Sequence, residues 1–135
     1  IMRAIPVPYK WGLFKRQPAD EWVNGRIALL GDACHSTLPS LGQGANMAIE
    51  DGLVLARALA ANGAVEAGLK AYEAARCERT AKIVNASSEH AKRRRNAALA
   101  DPARASSYLA SQWSAGRTSE LYDWIFEYDA VAIAI

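Results

Sequence analysis

A carboxylate, a proline and two glycines fall within thirteen residues of one another: Asp32, Pro39, Gly42 and Gly44, the last two flanking Gln43. Asp32 follows the apolar run Ile27-Ala28-Leu29-Leu30 and Gly31. An Asp at the carboxyl end of a buried strand lies where open α/β sheets bind ligands, and it can accept hydrogen bonds from a ribityl or ribose chain. Gly42 and Gly44 leave bare backbone where a flat ligand could approach. If a helix opens there, its unpaired N–H groups and positive dipole end favour an anion or an electron-rich oxygen.

The other reactive side chains nearby form no comparable pattern. His35 has no second ligand at i+4 or at any metal spacing and reads as a structural histidine, so no metal site is expected. Cys34 reads as a small packed residue, as does Cys77. Neither Ser36 nor Ser40 sits in the G-x-S-x-G elbow that a serine nucleophile uses. Glu50 and Asp51 read as serving helix solvation or bonds between helices. The run Lys92-Arg93-Arg94-Arg95 reads as a solvated helix face near a favourable dipole end, with His90 exposed beside it.

The elements that must carry these residues are legible in outline. Tyr9 to Arg16 alternates loosely between large apolar and polar positions, as an edge strand does. Asn24-Gly25 marks a turn. The apolar run before Gly31 predicts a short strand covered on both faces in a parallel sheet. Residues 31–44 are dense in Gly, Pro and Ser and read as a loop. Ala45 to about Ala61 predicts a helix stopped by Asn62-Gly63; Gly52 within it suggests close approach to a neighbouring backbone.

A long helix is expected from Val65 to Asn96. Val65, Leu69, Tyr72, Thr80, Ile83, Val84 and Ser87 lie on one face, and Glu66/Lys70, Glu78/Lys82 and Glu89/Arg93 stand as i,i+4 pairs. Asp101-Pro102 reads as N-cap and first-turn proline of a helix ending near Gly116. Thr118 then caps a last helix whose aromatic side chains read as packing or as a cover over another domain.

The spacing Gly31-Asp32, Pro39, Gly42-Gln43-Gly44, Asn46 and Asp51 resembles the second flavin-binding motif of the FAD-dependent aromatic-ring hydroxylases, the single-component flavoprotein monooxygenases. The likeness is close over about residues 22–60. Trp11 to Trp22 and the tail Tyr122 to Asp129 resemble the salicylate-hydroxylase-like branch more loosely. Many members have Ala where Cys34 stands.

The resemblance implies an α/β fold: the C-terminal part of an FAD-binding Rossmann-like domain of the p-hydroxybenzoate hydroxylase type, mostly helical here with few strands. Residues 1–24 would end the substrate domain's sheet, and 25–135 would belong to the FAD-binding domain with its closing helices. Asp32 would bond the ribityl hydroxyls of FAD. Pro39 would wall the reaction pocket beside the isoalloxazine ring. The backbone of Leu41, Gly42, Gln43, Gly44, Ala45 and Asn46 would meet the flavin's pyrimidine edge. The implied reaction uses NADH or NADPH and O2 to place one oxygen atom on an electron-rich aromatic compound of the salicylate or hydroxybenzoate kind. Two other outcomes are a flavin oxygenase or epoxidase of another substrate class, and a non-catalytic helical interaction module derived from such an enzyme.

Length and composition set the frame. The chain has 135 residues, 51% hydrophobic and 22% charged, which is globular composition for one domain or part of one. A net charge of +2 is too slight to argue for nucleic acid. Two cysteines make no disulfide framework, and reduced thiols fit a cytoplasmic protein. No apolar stretch suggests a membrane span. The start, Ile1-Met2-Arg3-Ala4-Ile5-Pro6, lacks the layout of a signal peptide, and beginning with Ile fits a piece of a longer polypeptide. The G-x-G-x-x-G cradle for the FAD pyrophosphate does not occur in these residues. The 135 residues alone are therefore expected to hold little FAD; a homodimer is an open expectation.

Overall fold

The computed structural model describes residues 6–135. Residues 6–21 carry no regular secondary structure. Strands β1 (Val23–Asn24) and β2 (Ile27–Ala28) then form an antiparallel hairpin, with Val23 opposite Ala28 and Asn24 opposite Ile27. Helix α1 (Asp32–His35) is a single turn, followed by a 3-10 turn at Pro39–Leu41. The bulk of the fold is helical: α2 (Gly44–Ala61), α3 (Val65–Arg94), α4 (Pro102–Gln112) and α5 (Ala115–Phe126). A second 3-10 turn, Ala97–Ala100, joins α3 to α4.

Helices α2 and α3 form an antiparallel hairpin because the connection between them is only residues 62–64. The apolar face of α2 follows helical spacing through Met47, Val54 and Ala58, all fully buried. It meets Leu69, Tyr72, Ile83 and Val84 of α3. Each large apolar side chain buried in this way contributes roughly 1.5–3 kcal/mol. The helices close most tightly at Gly68, where a Cβ would lie 3.0 Å from the Cα of Leu59 and 3.1 Å from the carbonyl oxygen of Ala58.

The hydrophobic interior has two parts. One gathers Trp22, Val23 and Cys34 against Val54, Ala58, Leu69 and Tyr72. The other joins Met47, Ile83 and Val84, with Trp124 of α5 packed against it. Between them along the helices lie Asp51, Arg76 and Thr80, polar and fully buried.

Several expectations hold with small shifts. Helix α2 begins one residue earlier than expected, and α3 ends two residues sooner. Asp101 caps α4 through a bond from the Ala103 N–H at 3.0 Å, with Pro102 in the first turn.

Others are corrected. The apolar run at 27–30 is not a strand buried in a parallel sheet: β2 pairs only with β1, and Ile27 is 71% exposed. Ala28 packs against the core, but no further described strand flanks β2 and Ile27 is left uncovered among the described residues. Tyr9 to Arg16 makes no strand, for the related reason that no described segment pairs with its N–H and C=O groups; Tyr9, Trp11 and Phe14 are exposed. Ile1 to Ile5 lie outside the described residues, so that part of the expected sheet edge does too.

Gly52 faces open space, and the close approach belongs to Gly68 instead. Val65 is not part of the buried face of α3, being 40% exposed. Helix α4 stops at Gln112, short of Gly116, and α5 starts at Ala115, so Ser114 and not Thr118 holds the capping position. The i,i+4 pairs yield to other partners. Glu73, fixed by accepting from the Trp22 and Val23 N–H groups, draws Lys70 to 2.8 Å; Glu89 pairs with Lys92 at 2.6 Å; Glu66 faces Arg26 at 3.8 Å. His90 is half-buried, not exposed, with its ring edge-on to Tyr122 at a 6.0 Å centroid distance.

Candidate functional site

The apolar run ends at Gly31, which adopts φ +62°, a conformation that side chains rarely reach. A Cβ there would also lie 3.3 Å from that of Ala48. This turn swings the chain into α1 and leaves Asp32 exposed, without a side-chain hydrogen bond or ion pair among the described residues. The loop then descends to Pro39 and rises through Gly42, whose φ of +65° closes the 3-10 turn with its N–H on the Pro39 carbonyl at 3.2 Å.

Asp32, Pro39, Gly42, Gly44 and Ala45 come together along one cleft of about 650 Å3, with Leu30, Gly31, Thr37 and Ala48 completing its lining. The sequence pattern had not singled out Thr37 or Ala48. Leu41 lies on a different groove beside Lys82 and Glu89. Gln43 is buried, donating from Nε2 to the Leu41 carbonyl at 3.3 Å and accepting from Asn46 Nδ2 at 3.4 Å. The Gln43 side chain thus holds the corner together, bridging the Leu41 carbonyl and the Asn46 side chain.

Helix α2 opens at the cleft without a side-chain cap. Its first intrahelical bond is from Met47 N–H to the Gln43 carbonyl, and the N–H groups of Gly44, Ala45 and Asn46 have no acceptor among the described residues. Protein packing does not demand the missing side chains here. A Cβ on Gly42 would meet nothing within 4 Å, and one on Gly44 would meet only Thr37 Cγ2 at an ordinary 3.6 Å. A free carboxylate, open donors and a bare corner fit the ribityl hydroxyls and oxygen-bearing edge of a flavin.

Beneath the cleft lies a buried charge cluster in which Asp51 and Glu50 make bonds between helices, one of the two uses the sequence suggested for them; Arg76 and Arg79 as their partners, and the link to His35, were not foreseen. Asp51 accepts from the Gly31 N–H at 3.1 Å and from His35 Nε2 at 2.6 Å, both on Oδ2. Its Oδ1 accepts from Arg76 Nε at 2.8 Å. Arg76 also reaches Glu50 at 2.7 Å, the Met47 carbonyl at 3.3 Å and the Tyr128 hydroxyl at 2.8 Å. Arg79 bonds both oxygens of Glu50 and stacks its guanidinium 3.7 Å from the Tyr128 ring centre. A signal was present: Met47, Asp51, Val54 and Ala58 share one face of α2, and Arg76 falls on the buried face of α3. A charged residue in an apolar stripe is almost always paired.

Burial alone would raise the Asp51 carboxyl, but the bonds from His35 and Arg76 outweigh it and hold Asp51 below the usual range. Burial would likewise lower the Arg76 guanidinium, and its bonds to Asp51 and Tyr128 push it the other way. Cys34, His35 and Asp51 do place three metal-type donor atoms within 4.8 Å of one another. Both Asp51 oxygens are occupied, however, and the Cys34 thiol, pushed up to about 12 by burial and then by the Asp51 charge, donates to the Gly31 carbonyl at 3.3 Å. With a guanidinium against the same carboxylate as well, these donor atoms are engaged within the protein.

The model of a family described as an FAD binding domain matches residues 9–87. The chain belongs to this FAD-binding family. Its relatives include the 6-hydroxynicotinate 3-monooxygenase of Bordetella bronchiseptica, 35% identical over 134 residues, 98% of this chain and 29% of that protein. The enzyme of the same name from Pseudomonas fluorescens is 51% identical over 76 residues, 55% of this chain and 20% of that protein. The 3-hydroxybenzoate 6-hydroxylase 1 of Aquipseudomonas alcaligenes is 45% identical over 74 residues, 55% of this chain and 19% of that protein.

Among solved structures, HpxO of Klebsiella pneumoniae, complexed with FAD and uric acid, superposes with a TM-score of 0.69 at 30% identity, over 83% of this chain and 29% of that one. The chain thus spans a fifth to three tenths of the length of these relatives. The expected fold class stands on the family match and this superposition, and the mostly helical described residues with one two-stranded sheet are consistent with it. No helix among them is long and apolar enough to cross a membrane.

Proposed function

We propose that this chain forms the flavin-facing turn and closing helices of an FAD-dependent monooxygenase, which uses NADH or NADPH and O2 to hydroxylate a small aromatic compound. The observation that carries the reading is the cleft itself: the carboxylate of Asp32, the open N–H groups of Gly44 and Ala45 and a bare glycine corner belong to residues that line it. The names of the relatives, which act on 6-hydroxynicotinate and 3-hydroxybenzoate, favour a hydroxylated aromatic ring as substrate. Residues 25–135 are assigned to the FAD-binding domain and 1–24 to the end of the substrate domain. Two free thiols, Cys34 and Cys77, agree with a cytoplasmic setting.

FAD, when bound, supplies the redox and oxygen-transfer chemistry. This chain's share is holding and orienting it. Asp32 accepts from the ribityl hydroxyls. The main chain from Leu41 to Asn46 meets the pyrimidine edge, where the start of α2 favours negative charge by about 0.3–1 kcal/mol when exposed and up to about 2 kcal/mol when partly buried. Pro39, with no N–H and a fixed φ, walls the reaction pocket and helps to exclude water. None of these groups changes its bonding in the reaction; they position and shield.

Gly44→Ala in the intact flavoprotein tests this reading. Ala fits the protein at an ordinary contact distance and is the better helix former, so thermal stability should hold or rise slightly. FAD affinity should fall about tenfold or more, because a methyl group would stand where the flavin meets bare backbone. Unchanged FAD affinity, or a purified protein without a flavin spectrum, would overturn the proposal. NADH and NADPH consumption across hydroxylated benzoates and nicotinates then identifies the reductant and the ring.

A further inference from the structure

Asp32 makes no side-chain hydrogen bond or ion pair among the described residues, so the direction of its carboxylate follows the backbone of α1. That helix is one turn long, too short to be stable by itself. Two groups fasten it from below. The Gly31 N–H, immediately before Asp32, and His35 Nε2, three residues after it, both end on Asp51 Oδ2. The other oxygen of Asp51 is held by Arg76, which is itself bonded to Glu50, Met47 and Tyr128.

Other roles for Asp51 explain less. It lies two turns into α2, too far in to cap the helix. Packing alone would be served as well or better by an apolar side chain, since a buried ion pair seldom out-stabilises one. What an apolar residue could not do is accept from the two groups that bracket Asp32.

We infer that Asp51 is a positioning residue for the cofactor turn: through the Gly31 N–H and the His35 ring it sets the direction in which Asp32 meets the hydroxyls of bound flavin. This rests on the proposed reading that the turn faces FAD. Asp51 itself does not line the cleft.

The test is FAD titration of the apoprotein of the intact flavoprotein in three variants, with thermal unfolding of each apoprotein and visible circular dichroism of the bound flavin. Asp51→Asn keeps the shape and removes the charge. Glu50→Gln removes the neighbouring, part-buried carboxylate on Arg76, which makes no hydrogen bond or ion pair with the turn among the described residues, so it controls for loss of charge beside Arg76. Asp32→Asn tests the contact with flavin directly. Asp51→Asn should weaken FAD binding about tenfold or more and alter the flavin's dichroism, because bonds to charged acceptors are the strong ones. Glu50→Gln should stay within about threefold, even where it lowers apoprotein stability as much.

Equal weakening by Asp51→Asn and Glu50→Gln, or an unchanged affinity in Asp51→Asn, overturns the inference. Unchanged affinity in Asp32→Asn overturns the reading of the cleft and this inference with it, whereas weakening there with none in Asp51→Asn sinks only the positioning role. If Asp51→Asn does not fold, His35→Gln, which leaves the Asp51–Arg76 pair in place, decides: weakened binding supports the inference and unchanged binding overturns it.

Discussion

Asp51 is a carboxylate whose partners decide its protonation. Facing it are His35, Arg76 and, through Arg76, Glu50 and Arg79. Because its folded value lies below its unfolded one, Asp51 adds stability that is present above the ordinary carboxylate range, near pH 4, and is lost as pH falls through the lower folded value. Glu73, which accepts from Trp22, Val23 and Lys70, is lowered too and loses its contribution in the same direction. Urea unfolding from pH 7 to pH 3 should show the wild type losing stability faster than Asp51→Asn, so that the gap between them narrows with acid; a gap independent of pH would refute the anchored carboxylate. Asp32 stood out in the sequence as a candidate because Pro39, Gly42 and Gly44 follow it at a fixed spacing, not because an acid after a glycine is unusual. Asp51 was legible only as one of two alternatives, a solvated group or a bond between helices, because its facing arginine stands 25 residues away in the chain.

The packing of α2 on α3 turns on a single missing side chain. At Gly68 an added Cβ meets the backbone of Ala58 and Leu59 at 3.0–3.1 Å, and a backbone cannot rotate out of the way as a side chain does. Gly68→Ala should therefore cost about 1–3 kcal/mol despite the better helix propensity of Ala, as overpacking does. Gly52→Ala, in open space on α2, should stabilise by about 0.5–1 kcal/mol. Chemical denaturation of the pair checks both signs, and the same sign for both would refute the close crossing. The helices themselves were readable from their periodicity and from Asn62-Gly63 and Asp101-Pro102. Which glycine marks the contact was not, since the sequence shows that a side chain is missing but not what stands opposite it. Strand pairing was also out of reach, because the apolar character of 27–30 reports a need for cover and not where the cover comes from.

Over the molecule as a whole, the apolar surface is distributed unevenly. Tyr9, Trp11, Leu13 and Phe14 are each more than 60% exposed, and Ile27, Leu29 and Leu30 add to the uncovered surface. Large exposed apolar surface drives association. The 135 residues expressed alone should self-associate in light scattering and bind an apolar dye, and Trp11→Ser with Phe14→Ser should reduce both; a monomeric, dye-silent chain would refute this. The C-terminal end is bound in the opposite sense. Arg57 donates to the carbonyls of Ala130 and Ile133, and the Tyr128 hydroxyl meets Arg76. The consequence concerns transplantation. The stretch from Gly31 to Asn46 looks like a portable loop, yet what shapes it is anchored on α2, α3 and the residue at position 128. Grafted onto a foreign scaffold without those helices, it would carry the motif's letters and lose the conformation that gives them meaning, so the smallest movable module here is nearly the entire chain.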